Sequence, residues 1–194
     1  MNFNSTLKKQ IEENIQVKKK IFSMSKSISK AIDLIYETIY NGGKVYLCGN
    51  GGSAADAQHL AAEFLIRLRP KINRQPFPFL TLATDTSTLT ACGNDYSFSD
   101  IFSRPFKGLA DKKDLLIAIS TSGNSKNIIK VLKASKEKKI NSIALLGNKG
   151  GIAKKYCTLP LIVRSSNVAR IQECHIFLGH FILQIVEEKL IKRK

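Results

Sequence analysis

Long apolar runs are absent from this sequence, and so is tryptophan. No stretch reaches the roughly 18 consecutive apolar residues of a membrane-crossing helix. The N-terminal stretch MNFNSTLKKQIEENIQVKKK mixes both signs of charge and contains neither an apolar core nor a small-residue cleavage site, so it does not read as a secretory leader. A soluble, cytoplasmic chain with no membrane partner is expected. Cysteine is sparse: Cys48, Cys92, Cys157 and Cys174 show no C-x-x-C spacing and lie mostly in apolar segments. That pattern fits buried free thiols in a reducing compartment better than disulfides or a cysteine-based zinc site.

Acidic residues are the other shortage, 15 against 31 basic ones, which leaves a formal charge of +16. Such an excess resembles the electrostatic footprint of a nucleic-acid binder. The basic residues are scattered, however, through KKKIF, RLRPKINR, DKKD, KASKEKK, NKGGIAKK and IKRK, with no interleaved aromatics and no recognisable recognition helix. With Lys, Ile and Asn all plentiful, the pattern fits solvated surface positions of a chain from an AT-rich genome. Steering of an anionic small ligand ranks next and nucleic acid last, so no nucleic-acid partner is expected.

What the sequence does contain is enough for one core: 194 residues, 43% of them hydrophobic. A first segment, about 2–41, carries Phe3, Leu7, Ile11 and Ile15, then Ile28, Ile32, Leu34, Ile35 and Ile39, at helical spacing, and stops at Asn41-Gly42-Gly43. It reads as two helices with an apolar stripe larger than a monomer of this size needs. Five short, near-continuous apolar runs follow at 44–49, 77–83, 114–120, 141–147 and 159–163, the pattern of strands buried on both faces. Helical stretches are expected between them at 54–67, about 96–109, 125–137 and 151–156, with a long amphipathic helix at 168–190. The fold class is therefore α/β, a three-layer sandwich around a five-stranded parallel sheet, with N-terminal helices and a long C-terminal helix in a single domain over 1–194.

Ligands of such sheets bind beyond the carboxyl ends of the strands. Two strand-to-helix turns there are rich in glycine and hydroxyls: Gly49-Asn50-Gly51-Gly52-Ser53 and Ser120-Thr121-Ser122-Gly123-Asn124-Ser125. Glycines admit an anion close to the backbone, hydroxyls donate, and a helix start offers unpaired amides with a favourable dipole. The second turn has no G-K-[ST] ending and the first is not G-x-G-x-x-G, so nucleotide readings are weak. Serines at helix starts often serve only as caps, but two such turns at one end of a sheet favour a phosphate cradle.

The helix launched by the first turn places His59 and Glu63 on one face, with Arg67 one turn further on. The pair suits acid–base work or metal ligation, though surface His–Glu pairs are also common. In the C-terminal helix Gln172 and His180 share a face and His175 falls on another, so polar groups again stand on a mainly apolar helix.

The stretches GNGGSAADAQH (49–59), AAEF with Arg67, DTSTLTACGNDY (85–96), STSGNSKN (120–127) and ARIQECH with GH (169–180) together closely resemble the phosphoheptose isomerases of the sugar isomerase (SIS) domain superfamily, in the same order over nearly the whole chain. The resemblance implies a flavodoxin-like SIS fold and an intramolecular oxidoreductase, an aldose–ketose isomerase acting on sedoheptulose 7-phosphate. It implies a homotetramer with active sites between subunits and one zinc ion per subunit among His59, Glu63, Gln172 and His180. The substrate would meet Asn50, Gly51, Gly52, Ser53, Glu63, Asn94, Asp95, Ser120, Thr121, Ser122, Ser125 and Gln172, with Glu63 and His180 as base and acid and Arg67 near the reacting carbons. The alternatives are an isomerase of another sugar phosphate and a non-catalytic SIS-domain protein that binds a replication initiator. In two places the sequence departs from the family pattern. Ile66 stands where a glycine usually precedes the arginine and is followed by the basic, proline-containing RLRPKINRQPFPF, so the loop at the substrate rim is expected to differ in shape. RSSNVAR precedes the last motif where an Asp or Thr is usual.

Overall fold

The computed structural model describes residues 2–82 and 85–192. Twelve regular elements follow one another: α1 (Phe3–Ile21), α2 (Ser25–Tyr40), β1 (Val45–Gly49), α3 (Gly52–Leu65), β2 (Phe79–Thr81), α4 (Thr86–Asp95), α5 (Ser103–Leu109), β3 (Leu115–Ser120), α6 (Lys126–Glu137), β4 (Asn141–Gly147), β5 (Leu159–Val163) and α7 (Val168–Lys192). The strands are all parallel, in the order β2-β1-β3-β4-β5. The central strands β1, β3 and β4 are buried on both faces as predicted from sequence, whereas the edge strands β2 and β5 are only partly covered, with Leu80 exposed, and the alternation along the strands divides the core. Val45, Leu47, Leu115 and Ile117 pack under α2, α3 and α7, while Tyr46, Cys48, Leu116 and Ala118 pack under α5 and α6.

Three elements differ from the sequence reading. Residues 86–95 form a helix that the motif DTSTLTACGNDY did not suggest, because threonines and Gly93 have low helix propensity; Asp85 caps its start by accepting from the Thr88 amide, and Cys92 is buried beneath it. The helix expected at about 96–109 is only the short α5, preceded by one tight turn, with Pro105 tolerated in its first turn. The strand expected at 77–83 narrows to Phe79–Thr81, and Ala83 lies outside the described residues.

Candidate active site

β1 and β3 are neighbours, with Gly49 in register with Ile119, so the two glycine–hydroxyl turns leave the sheet side by side. The direction of the connections reverses between these strands, which makes the crevice beyond them the natural ligand position. In the first turn Gly51 has φ +55° and ψ −122°, a conformation essentially restricted to glycine. Asn50 and Asn127 exchange two amide hydrogen bonds, 2.9 and 2.8 Å, bracing this turn against the start of α6.

The second turn is held by its own serine hydroxyls and by the turn after β4, whose Ile152 and Ala153 amides donate to Asn124 Oδ1 and the Gly123 carbonyl. Gly123, at φ +64°, is so close to the turn after β4 that a Cβ there would collide with the Gly150 carbonyl oxygen. The Gly123 amide donates to Ser120 Oγ at 3.1 Å and the Asn124 amide to Ser122 Oγ at 3.1 Å, while the hydroxyls of Ser120 and Ser125 stand 3.4 Å apart. Thr121 is half-buried between them and Ser122 is exposed. Whereas α1 and α4 have side-chain caps from Asn2 and Asp85, the Gly51 start of α3 and the Ser125 start of α6 have none. Ser53 lies inside α3 and Ser125 makes no cap bond, so these serines do not serve as caps. The Ser53, Ala54 and Ala55 amides of α3 turn back on the Asn50 and Gly51 carbonyls, and the Ile128 amide of α6 donates to Asn127 Oδ1 at 2.9 Å, so what both helix starts offer beyond the strands is chiefly the positive end of their dipoles.

His59, Glu63 and His180 gather where α3 crosses α7. His59 Nε2 is 3.4 Å from Glu63 Oε1 and 2.8 Å from His180 Nε2, with the two rings edge-on at 82°. The helices approach closely because Gly179 has no side chain: a Cβ there would lie 2.6 Å from both Leu60 methyl groups. Gln172 lies against the first turn, its Nε2 2.5 Å from where a Cβ on Gly52 would be. The ligand atoms of His59, Glu63 and His180 all fall within 4.8 Å of one another. Two imidazole nitrogens at 2.8 Å satisfy each other only if one keeps its proton, whereas a cation between such donors would satisfy both lone pairs. Two imidazoles and a carboxylate are a donor set that suits zinc.

Other expected residues lie elsewhere. α3 ends at Leu65, so Arg67 is off the helix and exposed, donating to the Pro70 carbonyl at 3.4 Å instead of lining up one turn beyond Glu63. Asn94 and Asp95 close α4, are exposed and bond to each other at 2.8 Å; no hydrogen bond among the described residues ties them to either turn. Two polar residues near the crevice escaped the sequence reading. Asn127 sits in the quoted STSGNSKN, where only its reciprocal pairing reveals a role. Asp56, one turn before His59, has a buried Oδ2 with no partner among the described residues; burial pushes its carboxyl up, opposed by the nearby His59 and His180.

The SIS domain family profile matches residues 10–147. A phosphoheptose isomerase from Campylobacter concisus is 49% identical over 186 residues, 94% of this chain and 97% of that protein. The chain belongs to the phosphoheptose isomerase family. A second member, from Clostridium acetobutylicum, is 44% identical over 95% of both chains. The solved phosphoheptose isomerase from Francisella tularensis superposes with a TM-score of 0.92 at 34% identity, over 97% of this chain and all of that one. The Neisseria gonorrhoeae structure gives 0.89 at 37% identity, over 96% of this chain and all of that one. The fold is the SIS fold, and a member of this family is an aldose–ketose isomerase.

Proposed function

We propose that the crevice converts sedoheptulose 7-phosphate into D-glycero-D-manno-heptose 7-phosphate, the first step towards the activated heptose of lipopolysaccharide core or capsule. The observation that carries this reading is the convergence of His59, Glu63 and His180 beside two helix starts without side-chain caps. The 7-phosphate is held by the hydroxyls of Ser53, Ser120, Thr121, Ser122 and Ser125 and by first-turn amides, with Asn50, Gly51 and Gly52 along the sugar. The carboxylate of Glu63 takes the C1 proton, the electron pair forms the C1=C2 bond of a cis-enediol, and the same proton returns to C2. His180 gives a proton to O2 and recovers one from O1, so the net change is one hydrogen moved between adjacent carbons.

His59, Glu63, His180 and the amide of Gln172 would hold one zinc ion per subunit. When bound, the ion supplies a Lewis acid for the developing oxyanion.

The protein acts as a homotetramer in the cytoplasm. Phe3, Leu7, Ile11 and Phe22 of the N-terminal segment are exposed, and an apolar groove of about 970 Å³ runs between Ile15, Phe22, Ile28, Phe177 and Phe181. A second copy covering this face gives the segment 2–41 its oligomerisation role. Sites shared between subunits give the exposed Arg67, Asn94 and Asp95 a route to a neighbouring copy's substrate. No helix among the described residues is long and apolar enough to cross a membrane, and Cys48, Cys92 and Cys174 are buried free thiols.

The test is turnover of sedoheptulose 7-phosphate before and after chelation. Activity lost with the metal and regained with zinc is expected. No turnover by the zinc-replete oligomer would move the assignment to another sugar phosphate or to the non-catalytic binding branch of the fold.

A further inference from the structure

Two turns beyond His180 on α7, Glu187 is fully buried, and its two oxygens each face an arginine: Arg69 Nε at 2.6 Å from one and Arg74 Nε at 2.6 Å from the other. Arg69 also reaches Glu188 at 2.8 Å. The Arg74 side chain is itself almost wholly buried, and its remaining N–H groups donate to the carbonyls of Glu63 and Phe64, each at 2.9 Å, and of Gln75 at 3.0 Å. Its guanidinium lies over the rings of Phe64 and Phe77, at 5.4 and 4.6 Å from their centroids. The Glu63 and Phe64 carbonyls are among the last four of α3, which have no partner within the helix. One guanidinium therefore ties the end of α3 to the C-terminal part of α7. These are the two helices that bring His59 and Glu63 to His180.

We propose that Arg74, Glu187 and Arg69 form a positioning clamp for the reacting groups, fixing the last turn of α3 against α7 and with it the separation of Glu63 from His180. The proposal rests on the placement of the reacting groups given under Proposed function. A buried ion pair adds little net stability over apolar side chains of the same size, so stability alone does not account for two arginines on one buried carboxylate. A planar guanidinium with five donors in a fixed fork sets orientation, as apolar packing does not. One of its acceptors is the backbone of Glu63 itself, so displacement of the fork moves that side chain directly. The basic stretch RLRPKINR, which looks like a solvated loop in the sequence, supplies both arginines.

The test uses the full-length protein: zinc affinity of the metal-free form by competition with a chromogenic chelator, beside melting temperature, kcat and KM. Arg74→Lys and Glu187→Gln are expected to weaken zinc binding by about tenfold or more and to lower kcat more than KM. Leu132→Ala, in the opposite core under α6, is the control; it should lower the melting temperature without moving zinc affinity. Arg69 is the partly exposed partner, so Arg69→Lys remains testable where the buried variants do not fold, and the same split is expected. Folded clamp variants with unchanged zinc affinity and kcat overturn the clamp. His59→Ala separates the two readings. If it weakens zinc binding while the clamp variants do not, only the clamp falls; if it binds zinc as tightly as the parent, the site placement fails and the clamp with it.

Discussion

The end of the crevice proposed to hold phosphate, its phosphate end, is made of main chain and short side chains from two contiguous stretches, 49–53 and 120–125, whereas the end proposed to react, its reacting end, joins His59 to His180, 121 residues apart in the chain. The first construction depends on glycine conformations and on helix starts, so it survives most changes that leave the backbone alone. The second depends on how two helices cross, and every element under that crossing takes part in it. Phosphate recognition and proton transfer should therefore respond to different kinds of change.

The largest test of this contrast is Glu63→Gln, which keeps the shape of the reacting end and removes the proposed base. Turnover is expected to slow by roughly two to four orders of magnitude, about 3–5 kcal/mol in the barrier, with KM little altered. A loss confined to KM would mean that Glu63 belongs to binding.

Acid should loosen the reacting-end helix from within. His175, on the side of α7 turned to the sheet, is fully buried, and neither ring nitrogen has a well-formed hydrogen bond among the described residues. Burial pushes its pKa down to about 4 from the usual 6.5, with a backbone contact to Leu146 offsetting a little. Between those two values the unfolded chain binds a proton that the folded chain refuses, so stability is full above the upper value and falls as the pH drops towards the lower. The loss is at most roughly 3 kcal/mol. Melting temperatures measured from neutral pH down towards the lower value check this, with His175→Gln expected to show a flatter slope; equal slopes would remove His175 as the cause.

Gly179→Ala sharpens the comparison at the crossing. The added methyl group would press on Leu60, which is itself buried, at a cost of about 1–3 kcal/mol. Zinc binding should weaken while the phosphate end stays intact, which inhibition by inorganic phosphate can report.

Ser122→Leu is the smallest of the four. It leaves the metal content unchanged and should raise KM about tenfold, near 1.4 kcal/mol. An unaltered KM would displace the 7-phosphate from this turn.

The two glycine–hydroxyl turns and their place side by side were legible in the sequence because their information is local: such a turn between an apolar strand and a helix carries its own signature. The strands were legible for the same reason. The cluster of His59, Glu63 and His180 was half legible, since His59 and Glu63 share a helix face four residues apart, yet only the family motifs joined them to His180. What stayed hidden depends on tertiary packing. α4 was missed because its cap and the burial of Cys92 outweigh its weak propensity. Arg67 was placed a turn too far along α3, because nothing local marks the helix end at Leu65. Arg69 and Arg74 read as surface charge because the carboxylates they pair with lie more than a hundred residues away, on α7.

The exchange of amide bonds between Asn50 and Asn127 has a consequence for how the protein would behave as conditions change. Neither partner has a proton to gain or lose, so the brace between the two turns is the same in acidic and in neutral medium for as long as the fold holds. A substrate phosphate, by contrast, passes from one negative charge to two near pH ~6. The Asn50–Asn127 brace thus adds no titration of its own to that region and stands as a fixed reference against which the sugar phosphate titrates.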